Sequence, residues 1–139
     1  MIPEIPEPRR NLVESEKITI NLGYVDLGHI DLLVREGFYA NRSDLIRTAV
    51  RNQIERHADA TRRSVERQSL DLGIRHYSSA DLEAAVSSGR MLEINVLGLV
   101  SIARDVTPEL ARTAIAAVSV LGALQASVEV KAALADRMR

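Results

Sequence analysis

From Lys17 to Leu22 apolar and polar positions alternate strictly. Ile18, Ile20 and Leu22 fall on one side and Lys17, Thr19 and Asn21 on the other, because strand side chains repeat with a period of two. The pattern then changes. Gly23 and Asp26 mark a turn and cap, and Leu27, Ile30, Leu33 and Val34 recur at helical spacing up to Gly37, a residue favoured just beyond a helix C-terminus. Asn41 offers a helix N-cap, and Asp44 three residues on can complete a capping box. Leu45, Ile46, Ala49, Val50 and Ile54 then form one apolar stripe, with Arg47, Arg51 and Gln53 off it. A single short strand ahead of two helices has no neighbour in sequence to pair with. Its backbone donors and acceptors need a partner, and a second copy of the chain is the simplest one.

Residues 55 to about 69 keep a helical composition but lose the stripe, retaining Ala58, Val65 and Leu70, which predicts a solvated helical extension. Beyond it the texture differs. Ile74–Tyr77 predicts a short strand and Ser79–Glu83 the start of a short helix ending near Gly89. In Met91–Ala103 the residues Leu92, Ile94, Val96, Val100 and Ile102 share one face and Leu97 and Leu99 the other, as in a strand covered on both sides. Thr107-Pro108-Glu109 is a helix start, with Leu110, Ile115 and Val118 expected on that helix. Val120-Leu121-Gly122 repeats Val96-Leu97-Gly98, and at the same offset Val130 and Leu134 match Val106 and Leu110. The offset predicts two successive strand-helix units, with Ser127 capping the last helix; even-numbered apolar residues from Val118 to Leu134 fit one longer strand equally well.

The expected class is therefore α+β, with four segments: a flexible N-terminal arm at 1–15, a strand-helix-helix domain at 16–57, a helical extension or linker at 58–70, and a small α/β domain of βαβα type at 71–139. Pro3, Pro6 and Pro8 set the arm apart, and its Arg9 and Arg10 read first as part of a solvated tail and second as groups that could reach a minor groove or a phosphate.

Composition narrows the chemistry. The 139 residues are 46% hydrophobic, ample for a packed core, and contain no cysteine, which removes disulfides and thiolate metal sites and suits a cytoplasmic setting. The longest apolar tract, about Ile115 to Leu124, is too short to cross a bilayer core of roughly 30 Å as a helix, so no membrane partner is expected. A net charge of −1 argues against coating nucleic acid by phosphate charge alone, but between Tyr39 and Arg67 seven arginines face four carboxylates. His29, His57 and His76 are scattered, and no nucleophile, phosphate-binding glycine loop or carboxylate pair stands at catalytic spacing. No enzyme, cofactor or metal is expected.

Lys17, Thr19 and Asn21 form a row of cation, hydroxyl and amide, donor and acceptor types that pair with base edges in a major groove wide enough for a two-stranded ribbon. With the segments Leu32-Leu33-Val34-Arg35-Glu36-Gly37 and Asn41-Arg42-Ser43-Asp44-Leu45-Ile46-Arg47-Thr48-Ala49-Val50-Arg51, residues 15–57 resemble the ribbon-helix-helix family of DNA-binding transcriptional regulators, the CopG/Arc/MetJ superfamily. The resemblance implies an antiparallel ribbon formed between two subunits, base contacts from Lys17, Thr19 and Asn21, and phosphate contacts from Asn41, Arg42, Ser43 and Arg47. It also implies a dimer core of Ile18, Ile20, Leu22, Ile30, Leu33, Leu45, Ile46, Ala49 and Val50. Double-stranded DNA and the chain itself, as homodimer or tetramer, are the implied partners, and a cytoplasmic repressor the implied role. The family's nickel-responsive member joins the same head to an α/β domain, but here the C-terminal half offers His76 and no cysteine, so nickel is not expected. Two other roles stay open: an antitoxin that autoregulates its operon while gripping a toxin, and a polymerising structural protein anchored on DNA. A small-molecule effector is a further partner for the second domain.

Overall fold

The computed structural model describes residues 15–139, which divide after Ala58 into two compact units. Residues 1–14, including the prolines, Arg9 and Arg10 of the expected arm, lie outside the described residues.

The first unit holds helices α1 (Tyr24–Arg35) and α2 (Arg42–Arg56), packed on each other. Helix α1 stops where Gly37 adopts φ +84°. There the Phe38 N–H donates to the Leu33 carbonyl at 3.0 Å and the Gly37 N–H to Val34 at 3.1 Å, a closing turn that needs a residue free of Cβ strain. Lys17–Leu22 has no regular secondary structure in the single chain and pairs with no strand among the described residues. Of the expected dimer core, Ile30 is buried and Leu45 and Ile46 are half-buried, whereas Ile18, Ile20, Leu22, Leu33, Ala49 and Val50 are exposed.

The second unit follows α3 (Ala58–Gln68) with β1 (Asp71–Tyr77), α4 (Ser79–Ser87), β2 (Leu92–Ile102), α5 (Pro108–Ala114), β3 (Ile115–Gln125) and α6 (Val128–Leu134), closing on a 3₁₀ turn at Ala135–Arg137. The three strands run parallel in the order β1-β2-β3. A helix joins each to the next, α4 packs on α5, and α5 on α6. Every strand-to-helix junction is capped in the same way. Ser78 accepts from the Asp81 N–H at 3.1 Å, Thr107 from Leu110 at 3.1 Å and Ser127 from Val130 at 3.1 Å. Asp81 returns a bond to the Ser78 N–H at 2.9 Å, and these bonds hold its carboxyl below the usual carboxylate range. The core joins Leu82 of α4, Ile94, Val96, Val100 and Ile102 of β2, Ala111 and Ala114 of α5, Ile115 and Val118 of β3, and Val130 and Leu134 of α6. Each fully buried Leu, Ile or Val among them contributes about 1.5–3 kcal/mol.

This architecture departs from the sequence pattern in two ways. The helix opened by Thr107 ends at Ala114, so Ile115 and Val118 lie in β3 and not on a helix. β-Branched residues lose little in a strand, and β2 supplies the ladder, with Ile94 opposite Val118. The repeat is also threefold, βαβαβα instead of βαβα, because Asp71-Leu72-Gly73 joins the two Val-Leu-Gly copies. Leu72, Leu97 and Leu121 form one cross-strand row and Gly73, Gly98 and Gly122 the next. These glycines have φ of +118°, +141° and +127°. A Cβ on Gly98 would lie 2.1 Å from the Gly73 carbonyl oxygen, and one on Gly122 would lie 2.0 Å from that of Gly98. No other residue fits those two places.

Candidate nucleic-acid interface

Ahead of α1, Lys17, Thr19 and Asn21 are exposed and make no hydrogen bond or ion pair among the described residues. Their apolar neighbours are open too: Ile18, Ile20 and Leu22 are 79%, 57% and 37% exposed. On the helices of the same unit Leu33, Val50 and Ile54 are likewise exposed. A segment that displays a polar row and an apolar row at once has found no core within one chain.

At the start of α2 the local chemistry is specific. The Asn41 side-chain oxygen accepts from the Asp44 N–H at 2.8 Å, as the sequence led one to expect. The reciprocal bond is displaced by one residue: Asp44 accepts from the Ala40 N–H at 3.0 Å and not from Asn41. Among the described residues the backbone N–H groups of Arg42 and Ser43 and the Ser43 hydroxyl have no partner, and Ser43 is exposed. Unpaired amides at the positive end of a fifteen-residue helix, with a cap amide and a hydroxyl beside them, suit a phosphate oxygen.

Arg42 itself is engaged elsewhere. Its Nε donates to Asp31 Oδ1 at 2.8 Å and its Nη2 to Oδ2 at 2.8 Å, a two-pronged pair that ties the first turn of α2 to α1. The hydrogen bond to Arg42 holds the Asp31 carboxyl below its ordinary range, and the same bond raises Arg42 above its own. Asp31 carries no signal in the residue pattern, since it lies eleven residues away across the loop and only the packing of the two helices brings it to Arg42. Arg47 and Arg51, one helical turn apart on α2, are exposed and without an ion-pair partner among the described residues, so their charge is available to a ligand.

The histidines stand apart from this surface chemistry. His57 Nε2 lies 3.4 Å from Gln53 Nε2, and His76 Nδ1 lies 3.2 Å from Ser101 Oγ. Among the described residues no three His, Cys, Asp or Glu side chains gather as metal ligands, and no helix is long and apolar enough to cross a membrane.

Comparison with known proteins agrees with this geometry. The sequence profile described as the ribbon-helix-helix transcriptional regulator family matches residues 13–131, which takes in the ribbon segment, both helices of the first unit and the three strands of the second. Over 46 residues the chain is 35% identical to the transcriptional regulator CdrS of Halobacterium salinarum, a match that spans 33% of this chain and 84% of that protein. No solved structure matches.

Proposed function

The chain belongs to the ribbon-helix-helix family of transcriptional regulators, and from that premise we propose that two copies pair Lys17–Leu22 antiparallel and lay the polar side of the resulting ribbon in the major groove of an operator. Lys17, Thr19 and Asn21 from both copies then meet base edges, and Ile18, Ile20 and Leu22 close over Ile30, Leu33, Leu45, Ile46, Ala49 and Val50 to make one core shared by four helices. The observation that carries this reading is the pairing of two exposures on one segment, the apolar row Ile18, Ile20 and Leu22 beside the unpartnered polar row. A strand that would be unstable alone becomes the centre of a dimer.

The start of α2 serves as the phosphate clamp. The amides of Arg42 and Ser43, the Ser43 hydroxyl and the Asn41 amide receive one phosphate, and Arg47 a neighbouring one. Arg42 sets the height and angle of that helix start through Asp31, so its contribution is as much positional as electrostatic. Such contacts fix register while the ribbon selects sequence. The protein acts as a cytoplasmic repressor, its dimer covering two related half-sites.

The test is a gel-shift competition between operator and unrelated duplex. Replacing Asn21 by alanine should lower operator affinity about 10- to 100-fold, the scale of about 1–3 kcal/mol per base contact, and leave binding to unrelated DNA nearly unchanged. An unaltered sequence preference in that variant would remove the base-reading role.

A further inference from the structure

The three-stranded sheet of the second unit ends in two open edges, and the edges fit each other. Along the glycine row each carbonyl oxygen sits where the next strand's Cβ would be: that of Gly73 against Gly98, and that of Gly98 against Gly122. The row therefore has a direction. Gly122 ends it with a carbonyl that no further strand receives, and Gly73 begins it with an empty Cβ position, nothing lying within 4 Å. Gly73 nonetheless adopts φ +118°, the conformation of the two glycines that do receive an oxygen. We infer that β3 of one copy accepts β1 of a second copy as its next parallel strand, Gly73 opposite Gly122, so that the sheet continues from molecule to molecule.

Four further observations agree with a second copy as the occupant. The leucine row Leu72, Leu97, Leu121 has a partly buried middle and exposed ends, Leu72 at 67% and Leu121 at 55%, and the added strand would set Leu72 beside Leu121 and Ile74 beside Ala123. Strand β1 is short and pairs with β2 only from Val96 to Ile102, which on β3 corresponds to the stretch from Val120 onward. The part of the β3 edge below that stretch is already taken: Met138 bridges to Val118 and the Arg139 N–H donates to the Val118 carbonyl at 2.8 Å. That tail is pinned by Arg137, which donates to the carbonyls of Arg112 and, at 2.6 Å, Ile115. The chain thus closes the half of its edge that β1 of a neighbour would not reach and leaves open the half that it would. On the helical side α4 of the neighbour would follow α6 as α6 follows α5.

The contact is head to tail, so each joined pair keeps one free β1 and one free β3 edge, and growth stops only if a ring closes. It uses no residue of the ribbon or of α2, so it stands or falls apart from DNA binding.

Because the chain has no cysteine, Leu72→Cys and Leu121→Cys can be introduced singly in the full-length protein. Both sites are exposed, and unchanged circular dichroism checks the fold. A short bis-maleimide applied to a mixture of the two variants should link them into covalent pairs, and neither variant should link to itself. The double variant should give a ladder of multimers. Leu72→Lys should lower association beyond the ribbon dimer in sedimentation velocity by at least tenfold and leave the dimer itself in place. Linking of Leu72→Cys to itself would mean that β1 edges meet in pairs, which overturns the proposal. So would the absence of links in the mixture, or association untouched by Leu72→Lys.

Discussion

The two units of this chain solve the problem of a core in opposite ways. In the first, Ile30 is the one buried apolar side chain among the described residues, and Ile18, Ile20, Leu22, Leu33, Val50 and Ile54 remain in water. In the second, fifteen apolar side chains are buried, and the capped strand-helix repeat accounts for them without help. A region of the first kind buries little apolar surface to offset its chain entropy, which is what the proposed dimer would supply, whereas the second region buries a core of its own. The difference points to the first unit, whose apolar positions stay exposed in one chain, as the place to look for function.

The sharpest way to break the contrast is to destroy one unit and ask whether the other survives. Gly98→Ala sets a Cβ against the Gly73 carbonyl oxygen in a backbone that cannot yield, at φ +141°. Its cost should exceed the ~1–3 kcal/mol typical of overpacking and unfold the sheet, seen as loss of the second unit's amide protection in hydrogen exchange. Operator binding by the first unit should persist. The converse is Ile20→Ala, which should remove about 2–5 kcal/mol of dimer stability per subunit and raise the protein concentration needed for the dimer in sedimentation equilibrium. The sheet of the second unit should keep its protection there.

Smaller effects are expected at the proposed DNA surface. Asn41→Ala should cost about 1 kcal/mol of helix capping, read as a lowered unfolding midpoint in urea. Arg47→Ala should weaken binding to all duplexes alike and reduce the slope of log affinity against log salt by about two, one for each subunit of the proposed dimer. The least effect concerns Asp31. Its carboxyl is held below the usual range by Arg42, so the pair stabilises the fold at neutral pH and that contribution fades as pH falls through the lowered value. Asp31→Asn should therefore unfold earlier than the parent at pH 7 and converge with it in acid, as a pH series of thermal melts would show.

Much of this was legible from the pattern of residues, and the exceptions have physical causes. Helices α1 and α2 were visible because capping residues and apolar stripes are local signals: Gly37 closes one and Asn41 opens the other. The α5 and α6 caps Thr107 and Ser127 were visible for the same reason. The identity of β3 was not, since Ile115 and Val118 fit a helix face as well as a strand, and only the ladder to β2 decides between them. The third repeat was hidden because Asp71 stands where the others have valine, at an edge where no core demands one. At the candidate site, residue types identified the polar row and the helix start, but the Arg42–Asp31 pair depends on how two helices pack and carries no signature in sequence. The segment Lys17–Leu22 lies at the limit of this reasoning, because no strand among the described residues pairs with it and the partner proposed for it is a second copy.

The central claim is that residues of one short segment, presented twice, choose the DNA sequence. Recovery of bound duplexes from a random pool, by the parent protein and by a Thr19→Ala, Asn21→Ala variant, tests it most directly. The parent should enrich a sequence with two related half-sites, and the variant should bind DNA without enriching it. Recovery of the same sequence by both proteins would contradict it.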